Sequence, residues 1–338
     1  MGTDFDVIGG HGQDYPMSLR VEPSHVLCGI MIFGLCWTRG LTAAPPTHEH
    51  LGMANASAVA MLSEDRFVAA SDESNVLKVF RADSDGPALA QFDLSAFAGV
   101  MGRSQEMDLE GAARLGDTIY WIGSHGRNRE GKPRPNRQRL VATRIEGVGD
   151  EARLVLEGKP CVRLLKDLLA DERYEQLGLR RAEGQFPDRG GINIEGLAAG
   201  PEGQLLLGFR SPLVQGKALI VPVLNPTEAI TGHPVKFGDP IRLDLHGRGI
   251  RELTWTGTEW YVIGGGSEGG GHSKLFRWNG HGKHPEEVPD AGFKHFNPEA
   301  LAWREGKLGG RLLVLSDDGR RAGTNVQFRS FQVEPEGR

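Results

Sequence analysis

Five stretches of the chain repeat one order of polar and apolar positions. Each has an acidic or polar residue, a short apolar strand, a turn, a second apolar strand and a polar tip. They are residues 55–72 (NASAVA…FVAASD), 109–125 (LEGAA…IYWIGSH), 194–210 (IEGLA…LLLGFR), 251–266 (RELTW…WYVIGGG) and 298–317 (PEALA…LLVLSD). Apolar runs this short, bounded by turn residues, predict strands rather than helices. Aligning the stretches superposes Ser57, Glu110, Glu195, Glu252 and Glu299, at intervals of 53, 85, 57 and 47 residues. The long interval contains an insertion, residues 161–179, where Leu164, Leu165, Leu168, Leu169 and Leu177 share one helical face and Gly178 marks the end. Each interval also has room for two more strands, such as 218–224 and 241–245 in the third unit. Four-stranded units recurring about every 50 residues predict an all-β propeller of about five blades, with six as the alternative. The last unit ends early, at a third strand over 327–333. A strand near 49–53 is expected to supply its fourth and close the ring.

Composition agrees with this pattern. The 338 residues include 48 Gly and 19 Pro, about a fifth of the chain, which disfavours a helical fold and suits many turns. A hydrophobic content of 39% argues against disorder, and a net charge of −5 argues against nucleic-acid binding. Cys28, Cys36 and Cys161 have no metal-ligand or redox spacing. Residues 26–37 form an apolar run too short to span a bilayer, preceded by Arg20 and followed by the small residues of 42–46. Residues 1–50 therefore read as a signal peptide or an over-extended start, with Met17 as the natural beginning, and 51–338 as one propeller domain. Glu22 and Arg39 depart from the signal pattern. The expected location is periplasmic or secreted, with the cytoplasm as the alternative, and no membrane span remains in the mature chain.

The polar positions carry the candidate chemistry. Strand side chains alternate with period two, and Asp108, Asn193 and Asn297 stand two residues before Glu110, Glu195 and Glu299, as Asn55 does before Ser57. The fourth repeat departs, with Ile250 before Glu252. On first strands lining a central channel, Asp108, Glu110, Asn193, Glu195, Asn297 and Glu299 would converge as hard oxygen donors suited to Ca²⁺ or Mg²⁺. The competing reading is structural: a repeated Glu bonds backbone amides of the adjacent blade. The strand tips add Asp72, His125, Arg210, Ser267, Asp317 and Asp318, expected on one rim. There His125 suits a general acid or base, and Arg210 suits an anionic oxygen. Arg127, Asn128, Asp72, Asp317 and Asp318 are the candidate substrate contacts. Residues 125–139 read as a long hairpin with six cations, namely Arg127, Arg129, Lys132, Arg134, Arg137 and Arg139, against Glu130. They are either an attractor for phosphate or an acidic ligand, or a solvated loop. Residues 264–271 lack the helix and Lys of a phosphate loop and read as a turn, and no Gly-x-Ser-x-Gly elbow is present.

The stretches LEGAARLGDTIYWIGSHGRN (109–128), KPRPNR (132–137), NIEGLAA (193–199), NPEAL (297–301) and LSDDG (315–319) resemble a bacterial domain-of-unknown-function family, number thirty-six sixteen. The resemblance covers about residues 52–333. It implies a propeller distantly similar to phytase-like esterase domains, which are metal-assisted phosphoester hydrolases; it assigns no catalytic residue. The expectation is a divalent-metal-assisted hydrolase of phosphate or other esters, acting on a small anionic molecule. The alternative is a non-catalytic propeller whose rim binds a small molecule, glycan or protein partner.

Overall fold

Five sheets follow one another along the chain, antiparallel apart from a two-residue parallel pairing of Gly86–Pro87 with Thr47–Leu51, and five apolar clusters fill the spaces between them in turn. The computed structural model describes residues 45–100, 105–267, 272–289, 291–306, 309–317 and 326–335. Blade 1 comprises Ala56–Met61, Arg66–Ser71, Ser74–Arg81 and Ala90–Asp93. Blade 2 comprises Leu109–Leu115, Thr118–Gly123, Leu140–Glu146 and Arg153–Cys161. Asn193–Ala199, Leu205–Val214, Lys217–Val223 and Ile241–Leu243 form blade 3, and Gly249–Trp255, Trp260–Gly265, Lys274–Trp278 and Glu286–Glu287 form blade 4. Blade 5 takes three strands from the end of the chain, Pro298–Arg304, Arg311–Ser316 and Gln327–Val333, and its fourth, Thr47–Leu51, from near the start. The expected closure is present, and it brings Thr47 into the propeller, ahead of the expected boundary at 51. The apolar segment 26–37 lies outside the described residues.

A single blade has two apolar faces and cannot bury both alone, so the ring is the smallest arrangement that does. The first strand of each blade contacts the first strands of its two neighbours, which places these five strands around the axis. Blades 5 and 1 meet through Phe67, Phe80, Phe328 and Leu313, and blades 3 and 4 through Ile220, Ile250, Leu253 and Trp260. The insertion after blade 2 seals the gap to blade 3 with Leu164, Leu165, Leu168, Tyr174 and Leu179. It is three short helical pieces rather than one helix: Leu164–Ala170, Glu172–Leu177 and Leu179–Glu183. Asp171 interrupts it in an extended conformation, with its side chain accepting from the Arg173 amide, and Gly178 turns the chain at φ 74°. Among the described residues no helix is long and apolar enough to cross a membrane.

The closing strand also makes ring stability sensitive to acid. His50 is buried among the rings of Phe67, Phe80 and Phe328, at centroid distances of 5.1, 5.2 and 4.8 Å, with Nε2 2.7 Å from Ser330 Oγ. Burial, helped by His48 and opposed by Asp85, lowers its pKa from 6.5 to about 4. The unfolded chain therefore takes up this proton below pH 6.5, whereas the folded ring resists it down to about pH 4. Stability from His50 is complete above pH 6.5 and is lost as pH falls to 4, by about 3 kcal/mol. His50→Gln is expected to flatten this acid limb in urea titrations at stepped pH.

Candidate functional site

Every first strand carries the same irregularity near its start. In blade 1, Ala56 pairs with Ser71 and Ala58 with Ala70, leaving Ser57 without an opposite residue. The same break isolates Glu110, Glu195, Arg251 and Glu299 in blades 2 to 5. One extra residue, a β-bulge, takes a side chain out of strict alternation and re-aims it. Because these strands border the axis, the bulged residues of blades 2 to 5 converge on one another.

The bulge also corrects the sequence alignment of the fourth repeat. Arg251, and not Glu252, is the equivalent of Glu110, Glu195 and Glu299. Two residues before Arg251 stands Gly249, where a Cβ would lie 1.9 Å from the Arg210 carbonyl oxygen. The backbone of blade 3 passes through the space that Asp or Asn fills elsewhere. Asn55 and Asp108 have a backbone role as well, at φ 52° and 56°, a left-handed conformation that these residue types tolerate.

The convergent side chains form a ring of carboxylates and guanidinium groups. Arg251 bonds Glu299 and lies 4.0 Å from Glu195. Arg210 Nη1 donates to Glu195 Oε1 at 2.6 Å, and its Nε donates to the Gly266 carbonyl at 2.8 Å. The Asn193 and Asn297 amides donate to Glu195 and Glu299, at 2.9 and 3.3 Å. Arg137 meets Asp108 at 2.8 Å and Glu106 at 3.1 Å. Glu110 differs from its neighbours: among the described residues it has no hydrogen bond or ion pair. Burial, then the charges of Glu195, Asp108, Asp72 and Glu299, push its carboxyl well above the usual range. Asp72 rises to about 7 through burial and the charges of Asp108, Glu299 and Asp317. Glu299 also rises to about 7, mainly through burial, with Arg251 opposing. Burial raises Asp108 too, against the pull of Arg137.

Antiparallel pairing puts the second-strand tips beside the first-strand starts. Asp72, Arg210 and Asp317 therefore belong to the same cluster as the bulged residues, and the two sets expected from sequence merge at one end. Three candidates have other local roles. His125 is buried, donates from Nδ1 to the Gly123 carbonyl at 2.8 Å and leaves Nε2 without a partner. Burial lowers its pKa to about 4, and the charged group that bears on it is Arg139, not a ring carboxylate. Arg127 ties its loop to the insertion through Glu183 and the Glu183 carbonyl. Asn128 Oδ1 accepts from the Glu130 and Lys132 amides and so shapes the turn. Asp318 lies outside the described residues, as do residues 268–271.

The expected hairpin over 125–139 is a loop with one 3₁₀ turn, Pro135–Arg137, and much of its charge turns inward. Arg137 enters the ring, Arg139 donates to the Ala98 and Pro135 carbonyls, and Lys132 pairs with Glu130. The ring members that sequence reasoning missed are Arg251 and Glu106, with Arg137 seen only as part of a charge run. The six residues expected to hold Ca²⁺ or Mg²⁺ do stand together, but guanidinium groups already engage Asp108, Glu195 and Glu299. Among the described residues, no group of three or more His, Cys, Asp or Glu side chains is placed to hold a metal ion.

Glu252 fulfils the structural reading instead. It is fully buried, and its Oε1 accepts from the Leu197 amide of blade 3 and from its own neighbour Leu253, both at 2.9 Å. Oε2 has no partner, and burial drives the carboxyl well upward. Glu252→Gln, which resembles the protonated acid, is expected to leave the denaturation midpoint nearly unchanged. Glu252→Ala strands both amides and is expected to cost about 1–3 kcal/mol. Equal losses in the two variants would show that the group is charged.

Similar folds occur in solved structures of low identity. A protein described as a putative oxidoreductase (glucose dehydrogenase) from Thermus thermophilus is 15% identical, with 86% of this chain and 100% of that chain covered and a TM-score of 0.42. A GH43_1 enzyme from Xanthomonas citri is 13% identical, over 85% and 90% of the chains, with a TM-score of 0.44. An exo-β-1,3-galactanase from Clostridium thermocellum is 10% identical, over 85% and 60%, with a TM-score of 0.46. No curated protein matches the sequence. Residues 55–177 and 164–297, which include all four bulged residues from Ser57 to Arg251, match the family described as "Protein of unknown function (DUF3616)", and the chain belongs to that family.

Proposed function

We propose that the ring is a hydrolytic site for an ester or phosphoester, with Glu110 as proton donor and Glu195 as base. The observation that carries this reading is the contrast between the two carboxyls. Among the described residues Glu110 makes no hydrogen bond or ion pair and its pKa is strongly raised, whereas Glu195 is held by Arg210 and flanked by Arg251. Neighbouring carboxyls in opposed environments are the usual basis of an acid and base pair. In the reaction, Glu195 takes a proton from water, and the water oxygen bonds to the acyl carbon or phosphorus. The bond to the leaving oxygen breaks, and that oxygen receives the Glu110 proton. Return of a proton from Glu195 to Glu110 through solvent restores the site. Arg210 then acts as a positioning residue, which revises its expected contact with an anionic oxygen.

The test is turnover of p-nitrophenyl acetate, p-nitrophenyl phosphate and bis-p-nitrophenyl phosphate between pH 5 and 8, in EDTA and in added Ca²⁺ or Mg²⁺. Turnover in EDTA that depends on Glu110 and Glu195 supports the ring acting alone. Turnover that requires a cation restores the metal expected from sequence and overturns the metal-free assignment. No turnover under any condition overturns the hydrolase reading.

A further inference from the structure

The same five strands end at a second, chemically different mouth. A cavity of about 790 Å³ is lined by their later residues, from Val59–Met61 in blade 1 round to Leu301–Trp303 in blade 5, and by the turns that follow. It lies at the opposite end of the strands from the carboxylate ring. Four residues after each bulge the lining carries Met61, Arg114, Ala199, Trp255 and Trp303. Fivefold repetition explains why these positions are equivalent. It does not explain two partly exposed indoles on adjacent blades.

Both indoles are held before any ligand arrives. Trp255 packs on Trp260 at 5.0 Å between centroids, and Trp260 lies 6.2 Å from Trp278. Trp303 lies over Gly310, where a Cβ would stand 1.8 Å from its ring. Preordered aromatic surfaces lose little entropy on binding. Alanines at 112, 113, 198, 199 and 302 make room between them. Main chain contributes to the wall as well: each first strand is the edge of its sheet, so its free side presents amide and carbonyl groups. The Arg114 guanidinium is turned to the carbonyls of Met61, Leu62 and Gly116 and lies 3.9 Å from Asp117, which balances its charge.

We infer that this mouth is a second ligand site for a neutral ring-shaped molecule with apolar faces and a hydrogen-bonding rim. The indoles would meet the faces, and the strand edges, with Glu64 and Glu305 at the mouth, would meet the rim. A sugar ring and a nucleoside share this chemistry. The cavity volume falls within the range of small-molecule sites.

Tryptophan fluorescence titrations with methyl β-glucopyranoside, adenosine and anilinonaphthalene sulfonate, an anionic dye that binds apolar surface, test the inference. Saturable binding of the glucoside or of adenosine is expected, weakened at least tenfold in Trp255→Ala and Trp303→Ala, and the one that binds identifies the source. Ala199→Leu fills the cavity without removing a ring and is expected to weaken binding similarly, which covers failure of either Trp variant to fold. Glu110→Gln, at the other mouth, is expected to bind normally. Binding of the dye alone, no saturable binding, or loss in Glu110→Gln each overturns the inference.

Discussion

Glu110→Gln is expected to lower ester or phosphoester turnover by about 10²–10⁴-fold, the usual contribution of a general acid, without loss of melting temperature. The two halves of this result have one cause. Glu110 is buried beside Glu195, Asp108, Asp72 and Glu299 and makes no hydrogen bond or ion pair among the described residues, so its carboxyl holds a proton well above the usual carboxylate range. Gln reproduces the neutral form in size and polarity but has no proton to transfer. A structural Glu110 would give the opposite outcome, with normal turnover and a lower melting temperature. The pH profile supplies a further check. Turnover in the parent should fall on the alkaline side as Glu110 loses its proton, and residual turnover in the variant should lack that limb. A variant of normal activity would remove Glu110 from the mechanism.

The second large effect concerns stability, and its sign runs against ordinary expectation for a charged residue. Asp72→Asn is expected to stabilise the protein, increasingly so as pH rises from 4 to 7. Asp72 is raised from 3.8 to about 7 in the folded ring. Between those values the unfolded chain has already released this proton and the folded chain still holds it. Stability from this group is therefore greatest below pH 4, declines as pH rises through 7 and is constant above. A shift of this size corresponds to about 4 kcal/mol. Denaturant midpoints of parent and variant should converge near pH 4 and differ most at pH 8. Glu299, also raised to about 7, contributes in the same direction, although Asn297 and Arg251 lose a partner when it is replaced. His50 acts in the opposite sense over nearly the same range, pH 4 to 6.5, so the two trends partly offset in the parent and each is read from the difference between the parent and its variant. A parent–variant difference that does not change with pH would refute the assignment of the group replaced. Strain of this kind is common where a site is built for chemistry rather than for stability.

Much of the architecture was legible because burial in a propeller is repetitive. Each blade needs two adjacent apolar strands near the axis, and that need appears as runs such as 119–123 and 205–209 at similar intervals. The closing strand was legible for the same reason: Gln327–Val333 lacked an outer neighbour, and residues near 49–53 were the unassigned strand left to fill the gap. Asp72, Glu110, Glu195, Arg210, Glu299 and Asp317 were found because they recur at equivalent positions.

The failures were local. Arg251 was passed over because a bulge adds one residue to a strand without altering the apolar run beside it, so Glu252 took its place in the alignment. His125 looked like a partner for Arg210 because both occupy strand tips. Backbone geometry decides otherwise: His125 has a φ of 58° and its ring bonds back to Gly123. The basic loop appeared to face a ligand, yet Arg137 spends its charge on Asp108 and Glu106.

The sequence by itself determined the all-β class, a repeat of about five blades with six as the alternative, the ring closure and most of the carboxylates that approach the axis. These follow from hydrophobic periodicity, which is a property of position along the chain. The tertiary structure alone decided which carboxylates meet an arginine and which, among the described residues, has no hydrogen bond or ion pair. It also separated the carboxylate mouth from the one that carries two indoles. Those outcomes depend on side-chain direction and on contacts between blades some 50 residues apart, where a one-residue bulge exchanges an acid for a base.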